Sequence, residues 1–232
     1  MPARGGRFGR HSKGKQDLRS FAIIPAAGHS RRMGRHKLLL PWSDTSVIEQ
    51  VVRRWRLAAV TRIVIVVRGD DEPLAERCRS AAAWTSSTGI GRLAPVDIVR
   101  PALDPPDMKA SVREALDHVV RTYAPTDADV WLMAPADMPN LSTEVVNRLL
   151  LGSHDRPSCI LVPVSQGRRG HPVLFPFAVA DSVARLGPDE GINRLLERAP
   201  VCELELGPEG IAADLDTPDD YNRLVERTDP RC

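Results

Sequence analysis

Residues 21–37 read Phe-Ala-Ile-Ile-Pro-Ala-Ala-Gly-His-Ser-Arg-Arg-Met-Gly-Arg-His-Lys. The first five residues form an apolar run typical of a buried strand. Small residues follow at 26–28, and no acid lies between Gly28 and Leu40. The cations of this loop are Arg31, Arg32, Arg35 and Lys37. Because open α/β sheets bind ligands beyond the carboxyl ends of their strands, and small residues let backbone amides approach a phosphate, the loop predicts a polyphosphate cradle.

Two familiar phosphate-binding motifs do not fit this loop. Gly28 and Gly34 enclose five residues, whereas a P-loop has four followed by glycine and lysine, and the chain contains no G-x-G-x-x-G. The pattern therefore disfavours a P-loop ATPase and a Rossmann dehydrogenase. A surface turn with solvated arginines is the alternative, but a strand feeding small residues and then four cations favours the phosphate interpretation.

Outward from this loop, apolar runs alternate with helical patterns, which predicts a single three-layer α/β domain with a mostly parallel, Rossmann-like sheet. The predicted strands are 21–25, 63–67, 96–99, 130–134, 160–164, 173–175 and 201–206, the last at an edge. The capping box Ser46-x-x-Glu49 predicts the start of the first helix. A final helix is predicted to start at Thr217 and Pro218. Between them, the predicted helices are 74–83, 110–122, 142–151, 179–186 and 192–198. In the helix 110–122 a buried stripe is predicted for Val112, Leu116, Val119 and Val120.

Composition limits the class of protein. The chain has 232 residues, 42% of them hydrophobic, which suits one domain with a full core. Its net charge of only +2 is weak support for nucleic-acid binding. Residues 1–19 carry six basic residues and one acid, a charge of +5, with little to bury, so they predict a disordered basic tail before a folded domain at 20–228. A nucleic-acid, membrane or partner-docking arm is the alternative for this tail.

Cysteine spacing and hydropathy predict the compartment. The four cysteines are far apart and form no C-x-x-C pair, so neither a zinc ribbon nor a disulfide framework is indicated. No run approaches the length of a membrane span, and no apolar segment follows the basic start. We therefore expect a cytoplasmic protein without a membrane or nucleic-acid partner.

Two carboxylates are candidate Mg²⁺ ligands. Asp137 follows the predicted strand 130–134 and caps no obvious helix, so it should lie at the same sheet edge as the cationic loop. Asp216 precedes the last predicted helix, where an N-cap is the competing interpretation. Mg²⁺ is typically held by one or two carboxylates together with substrate phosphates, so this pair would suffice.

Taken together, these residues resemble the molybdenum cofactor nucleotidyltransferases of the glycosyltransferase-A-like superfamily, which have the nucleotide-diphospho-sugar transferase type of fold. The signature of that family is a strand, then Ala-Ala-Gly or Ala-Gly-Gly, then Arg-Met-Gly-x-x-Lys, and the match extends over most of 20–225. Its matching segments here are 26–28, 32–37, the Asp-x-Pro at 137–139, the Gly-His-Pro at 170–172 and the Asp-x-Asp-Thr-Pro at 214–218. Ala-Ala-Gly together with Gly-His-Pro is similar to the cytidylyltransferase branch.

The resemblance implies Mg²⁺-dependent transfer of CMP from CTP to molybdopterin-bound molybdenum, with release of pyrophosphate. It implies that Lys37 and Arg32 contact the triphosphate, that Asp137 and Asp216 hold Mg²⁺, and that a molybdenum hydroxylase-type oxidoreductase receives the product. The nucleotide-binding residues would be Pro25, Ala26, Ala27, Gly28, Ser30, Arg32, Lys37 and Ser111. The acceptor-binding residues would be Gly170 and His171.

Several alternatives remain open at this point. His171 could handle a proton, donate to the acceptor, or be a structural residue before Pro172. Asp107 stands where the family commonly has glycine before the third helix. Rival functions are a nucleotidyltransferase that uses GTP or a sugar-phosphate or isoprenoid acceptor, and a non-catalytic carrier of the finished cofactor.

Overall fold

The structure, a computed structural model, describes residues 18–29, 36–86, 91–207, 215 and 217–228. Its strands are β1 Ser20–Pro25, β2 Pro41–Trp42, β3 Thr45–Ser46, β4 Arg62–Val66, β5 Val96–Val99, β6 Val130–Met133, β7 Ile160–Ser165, β8 Arg168–Arg169, β9 Val173–Pro176 and β10 Val201–Glu205. Its α-helices are α1 Val47–Leu57, α2 Glu72–Ala83, α3 Met108–Tyr123, α4 Thr143–Asp155, α5 Asp181–Ala184 and α6 Pro218–Thr228.

The main sheet has the strand order β10-β7-β9-β6-β1-β4-β5, with β8 paired to β7. β1 lies inside the sheet, parallel to both of its neighbours, β4 and β6. β9 is antiparallel to β6 and to β7, so it separates two groups of parallel strands. β2 and β3 form a separate hairpin before α1. The prediction of a mostly parallel sheet is confirmed. The segment predicted at 173–175 is β9, which is antiparallel to its neighbours, and the short β8 is antiparallel to β7.

Helices cover both faces of the sheet, which confirms the three layers. Side chains alternate along a strand, so Ala22 and Ile24 of β1 pack with α1, α2 and α4, whereas Phe21 and Ile23 pack with α3 and α5. All four of these side chains are buried. This double coverage explains why β1 reads as a continuous apolar run.

Local signals placed most helix starts correctly. Glu49 accepts hydrogen bonds from the backbone nitrogen and hydroxyl of Ser46, at 3.0 and 2.6 Å, so the capping box opens α1 as predicted. Ser142 caps α4 through the Val145 nitrogen at 3.4 Å. The helix itself continues to Asp155, past the predicted end at Leu151.

Predictions in α3 and in the two helices after β9 also differ from the structure. Val120 of α3 is 49% exposed rather than part of the buried stripe, because it follows Val119 around the helix onto the solvent side. The helix predicted at 179–186 is a 3₁₀ turn, Phe177–Val179, followed by the four-residue α5. The helix predicted at 192–198 is the 3₁₀-helix Ile192–Glu197.

Arg19 belongs to the folded domain and not to the tail. Its side chain donates to Asp129 Oδ2 at 2.6 Å and to the Tyr123 carbonyl at 2.9 Å, and its own carbonyl accepts from the Val130 nitrogen. The contacts of the folded domain therefore include a residue before the predicted boundary at residue 20, while residues 1–17 lie outside the described part. Within the described ranges, no helix has the length and apolar character required to cross a bilayer.

Candidate active site

The small residues that follow β1 lie at the carboxyl edge of the sheet. The Ala26 nitrogen donates to the Val66 carbonyl at the end of β4, at 2.9 Å, which ties the two strand ends together. Ala26 and Ala27 are buried, whereas Gly28 is exposed. A β-carbon built on Gly28 would meet no atom of the described residues within 4 Å. The backbone at Gly28 is therefore open to a ligand, and packing against the described residues does not require a glycine there.

Lys37 and Asp137 meet at this edge. The Lys37 ammonium forms an ion pair with Asp137 Oδ2, and the Asp137 side chain is only 8% exposed. Leu215 joins them, because its nitrogen donates to the Asp137 carbonyl at 3.2 Å and its carbonyl accepts from Lys37 Nζ at 3.4 Å. Lys37 is thus brought to residues 100 and 178 positions away in the chain. The cation and the carboxylate singled out from sequence occupy one site.

The second oxygen of Asp137 is suited to a metal ion. Asp137 Oδ1 is buried and has no hydrogen-bond partner among the described residues. A buried carboxylate oxygen without a donor is costly, and a divalent cation would satisfy it. Leu215 directly precedes Asp216 in the sequence, so the backbone leading to the second predicted ligand is anchored at Asp137.

The end of the cationic loop is held by a contact that sequence reasoning missed. His36 Nε2 lies 2.7 Å from Asp71 Oδ2, and the Asp71 side chain is only 5% exposed. Asp71 also caps α2, accepting from the Leu74 nitrogen at 3.2 Å. The position of Asp71 before Glu72 and Pro73 is a recognisable N-cap signal, but nothing in the sequence pairs it with His36. This contact fixes the residue next to Lys37.

His171 faces a pocket of about 470 Å³ between the end of β6 and the start of α3. His171 Nδ1 is buried and has no hydrogen-bond partner among the described residues. Gly170, by contrast, uses its nitrogen to donate to the Pro163 carbonyl at 2.9 Å. The remaining walls come from Asp107, Met108 and Lys109 of the α3 start, from Met133 and Pro135, and from residues 188–193.

The start of α3 explains the acid at position 107. Asp107 caps the helix by accepting from the Ala110 nitrogen at 2.7 Å. Ser111 is 2% exposed, and its hydroxyl donates to the Asp107 carbonyl at 3.2 Å. Lys109 Nζ donates to the Pro188 carbonyl at 3.3 Å and also to the Gly187 carbonyl, which ties α3 to the opposite wall of the pocket. A nucleotide-binding role for Ser111 stays a prediction.

The predicted site residues fall partly inside and partly outside the described ranges. Ser30, Arg32 and Asp216 lie outside the described residues, as do Arg31 and Arg35. Among the others, Lys37 and Asp137 are in contact, Pro25 to Gly28 lead out of β1, and His171 opens into the pocket. Asp137 lies close enough to His171 for its charge to act on the imidazole.

The burial of His171 predicts a pH-dependent stability. Burial lowers the pKa of His171 below its usual value, and the Met133 backbone and the Asp137 charge oppose this only in part. The unfolded chain therefore takes up this proton at a higher pH than the folded protein does, so stability falls as the pH drops through the unfolded value near 6.5. We expect His171→Gln to lose less unfolding free energy than the wild type between pH 7.5 and 5.5 in urea titrations. Equal losses in the two proteins would contradict this.

Comparison with known proteins places this chain in a family. A family model described as MobA-like NTP transferase domain matches residues 22–203. The molybdenum cofactor cytidylyltransferase of Escherichia coli (strain K12) is 24% identical over 205 residues, covering 88% of this chain and 95% of that protein. The molybdenum cofactor guanylyltransferase of Mesorhizobium japonicum is 30% identical over 189 residues, covering 79% and 81%.

A solved structure has the same architecture. Rv0371c from Mycobacterium tuberculosis H37Rv superimposes with a TM-score of 0.68 at 27% identity, covering 91% of this chain and 100% of that one. Its complex with manganese gives a TM-score of 0.64 at 27% identity, covering 90% and 99%. Structural neighbours of this kind confirm the nucleotide-diphospho-sugar transferase fold.

Proposed function

The chain belongs to the MobA-like NTP transferase domain family and is a nucleotidyltransferase, and from that premise we propose that it transfers CMP from CTP to a molybdopterin-type acceptor. The observation that carries the proposal is the Lys37 and Asp137 pair beyond the ends of β1 and β6, in which Asp137 Oδ1 is buried and has no partner in the part of the chain that the structure describes. A cation and an available carboxylate oxygen beside an open glycine backbone suit a metal-bound triphosphate.

The reaction requires the protein to position the two substrates and to stabilise negative charge. The acceptor phosphate attacks the α-phosphorus of CTP in line, and pyrophosphate leaves, so no protein nucleophile is required. Lys37 would turn from Asp137 to the triphosphate and stabilise the charge that develops on the leaving group, together with Arg32. A Mg²⁺ ion held by Asp137 and Asp216 would neutralise and orient the phosphate oxygens.

The acceptor would occupy the pocket beside His171. This pocket continues from the β6 end that carries Asp137, so an acceptor phosphate there can face the nucleotide. Its volume of about 470 Å³ lies within the usual range of small-molecule sites. His171 lines this pocket and would contact the acceptor. Ala26 to Gly28 would contact the base and ribose, and Ser30 and Ser111 would complete the nucleotide side.

Separate observations support CTP and GTP as the nucleotide substrate. The Ala-Ala-Gly at 26–28 and the Gly-His-Pro at 170–172 favour CTP, as does the likeness to the Escherichia coli cytidylyltransferase. GTP is the second candidate, because the relative with the higher identity, at 30%, is a guanylyltransferase. A molybdenum hydroxylase-type client and a cytoplasmic location stay predictions.

A nucleotide panel tests the proposal. Purified protein with Mg²⁺ and a molybdopterin-containing acceptor is incubated with CTP or GTP, and pyrophosphate release and product mass are measured. We expect CTP to give at least about tenfold higher kcat/KM, a difference of about 1.4 kcal/mol in transition-state binding. The matched controls omit the acceptor or chelate the metal, and both should abolish release.

The same panel separates the rivals. A preference for GTP would overturn the cytidylyl assignment while keeping nucleotidyl transfer. Tight binding of the finished dinucleotide cofactor without pyrophosphate release from any nucleotide would favour the non-catalytic carrier.

A further inference from the structure

Two cysteine thiols lie in contact at the other end of the sheet from the active site. Cys159 directly precedes β7, and Cys202 is the second residue of β10. The two thiols share a hydrogen bond, and their Sγ atoms are 2.7 Å apart. Both residues are free and half-buried, packed against the same hydrophobic cluster as α4. The distance is already close to that of a covalent S–S bond, about 2.05 Å.

The sheet holds the two thiols together. β7 and β10 are parallel neighbours in which Cys202 lies opposite Leu161. The Ile160 nitrogen donates to the Pro200 carbonyl at 2.8 Å, immediately beside Cys159. Because side chains alternate along a strand, Cys159 and Cys202 project from the same face. Backbone pairing therefore preserves the contact in the folded protein.

We propose that Cys159 and Cys202 form an intramolecular disulfide by exchange with a low-molecular-weight disulfide such as oxidised glutathione. The thiolate of one cysteine attacks a sulfur of the reagent, breaks its S–S bond and releases one glutathione thiolate. The second cysteine then attacks the protein sulfur of the mixed disulfide and releases the other. The protein loses two electrons and two protons, and both pass to the reagent, which becomes two molecules of reduced glutathione.

The surroundings favour this pair over the remaining described cysteine. Cys78 is fully buried, and burial raises its pKa to about 12, so its thiolate is scarce and inaccessible. The hydrogen bond with Cys202, followed by burial, raises the pKa of Cys159 above the usual thiol value. Exchange should therefore accelerate as the pH rises from 7 towards 9, because the thiolate is the nucleophile.

A bond here would secure the edge of the sheet. In the described part of the sheet, β10 pairs only with β7. Since the bond closes a loop of more than forty residues, it restricts the unfolded chain and should stabilise the folded state. Both thiols lie at the amino ends of their strands, so the proposal does not depend on the proposed transferase function.

Mass spectrometry and thiol titration test the proposal. The native full-length protein is incubated with oxidised glutathione at pH 8, then denatured, titrated for thiols and digested for peptide mapping. We expect the thiol count to fall by two from the four cysteines of the chain, with a linked peptide pair containing Cys159 and Cys202. Oxidation should also raise the melting temperature by a few degrees, and reduction should reverse the shift.

Matched variants keep the result falsifiable. Cys159→Ser and Cys202→Ser should each lack the linked pair. Each should instead accumulate a glutathione adduct on the other cysteine of the pair, whereas Cys232→Ser should still form the link. Four titratable thiols after incubation of the native protein, or a link through Cys232, would overturn the proposal. The mapping of the wild type decides the matter even if a serine variant fails to fold.

Discussion

The Asp137→Asn variant is expected to lose nucleotide transfer while it remains folded. Asparagine keeps the shape of the side chain but removes the charge that pairs with Lys37 and would bind the metal. Loss of one such electrostatic contact in an active site typically lowers kcat by roughly 10²–10³-fold. The measurement is metal-dependent pyrophosphate release from CTP with acceptor present, beside a thermal melt of the same sample.

The matched control for this variant is Asp117→Asn on the exposed side of α3. It removes one exposed carboxylate that the proposal assigns no role, and it should keep wild-type activity. Titration with Mg²⁺ or Mn²⁺ adds a second readout. Loss of a metal ligand should raise the metal concentration needed for half-maximal activity as well as lower the maximal rate. Activity near the wild-type level in Asp137→Asn would remove Asp137 from the metal site.

The largest effect on stability is expected from Asp129→Ala. The Asp129 side chain is 4% exposed and accepts from the nitrogen, Nε and Nη2 of Arg19 and from the nitrogen and hydroxyl of Thr126. Alanine would leave these donors without their partner, which costs about 2–4 kcal/mol of unfolding free energy, since Arg19 itself retains some access to water. Urea denaturation at pH 7 measures the loss.

This stability should also depend on pH. Burial alone would raise the pKa of Asp129, but the hydrogen bonds from Arg19 and Thr126 outweigh it and hold the pKa below its usual value. The contribution is therefore complete above the unfolded value near 3.9 and is lost as the pH falls through the lower folded value. The difference between wild type and Asp129→Ala should shrink under acid. The control is Asp127→Ala, which removes an exposed carboxylate. If this control lost as much unfolding free energy as Asp129→Ala, the burial argument would be refuted.

Local patterns predicted the elements of the fold better than their arrangement. The apolar run of β1 and the capping box of α1 depend on residues a few positions apart, so both were readable in the chain. The antiparallel placement of β9 between β6 and β7 could not be predicted from the sequence, because strand order depends on packing across the sheet. Arg19 looked like part of a basic tail for the same reason, since its partner Asp129 is 110 positions away.

The sequence by itself determined the class of fold and predicted a phosphate-binding role for the loop after β1, because alternating apolar runs, small residues and clustered cations are local properties. It also indicated that Asp137 and the loop that ends at Lys37 should lie at one edge of the sheet, where the carboxyl ends of parallel strands meet, whereas their direct contact was not predicted. Only the tertiary structure decided that Asp137 Oδ1 stays buried and unpartnered among the described residues, that Asp71 holds His36, and that Cys159 touches Cys202. These contacts join distant segments, and their geometry is set by packing on both faces of the sheet rather than by any local pattern.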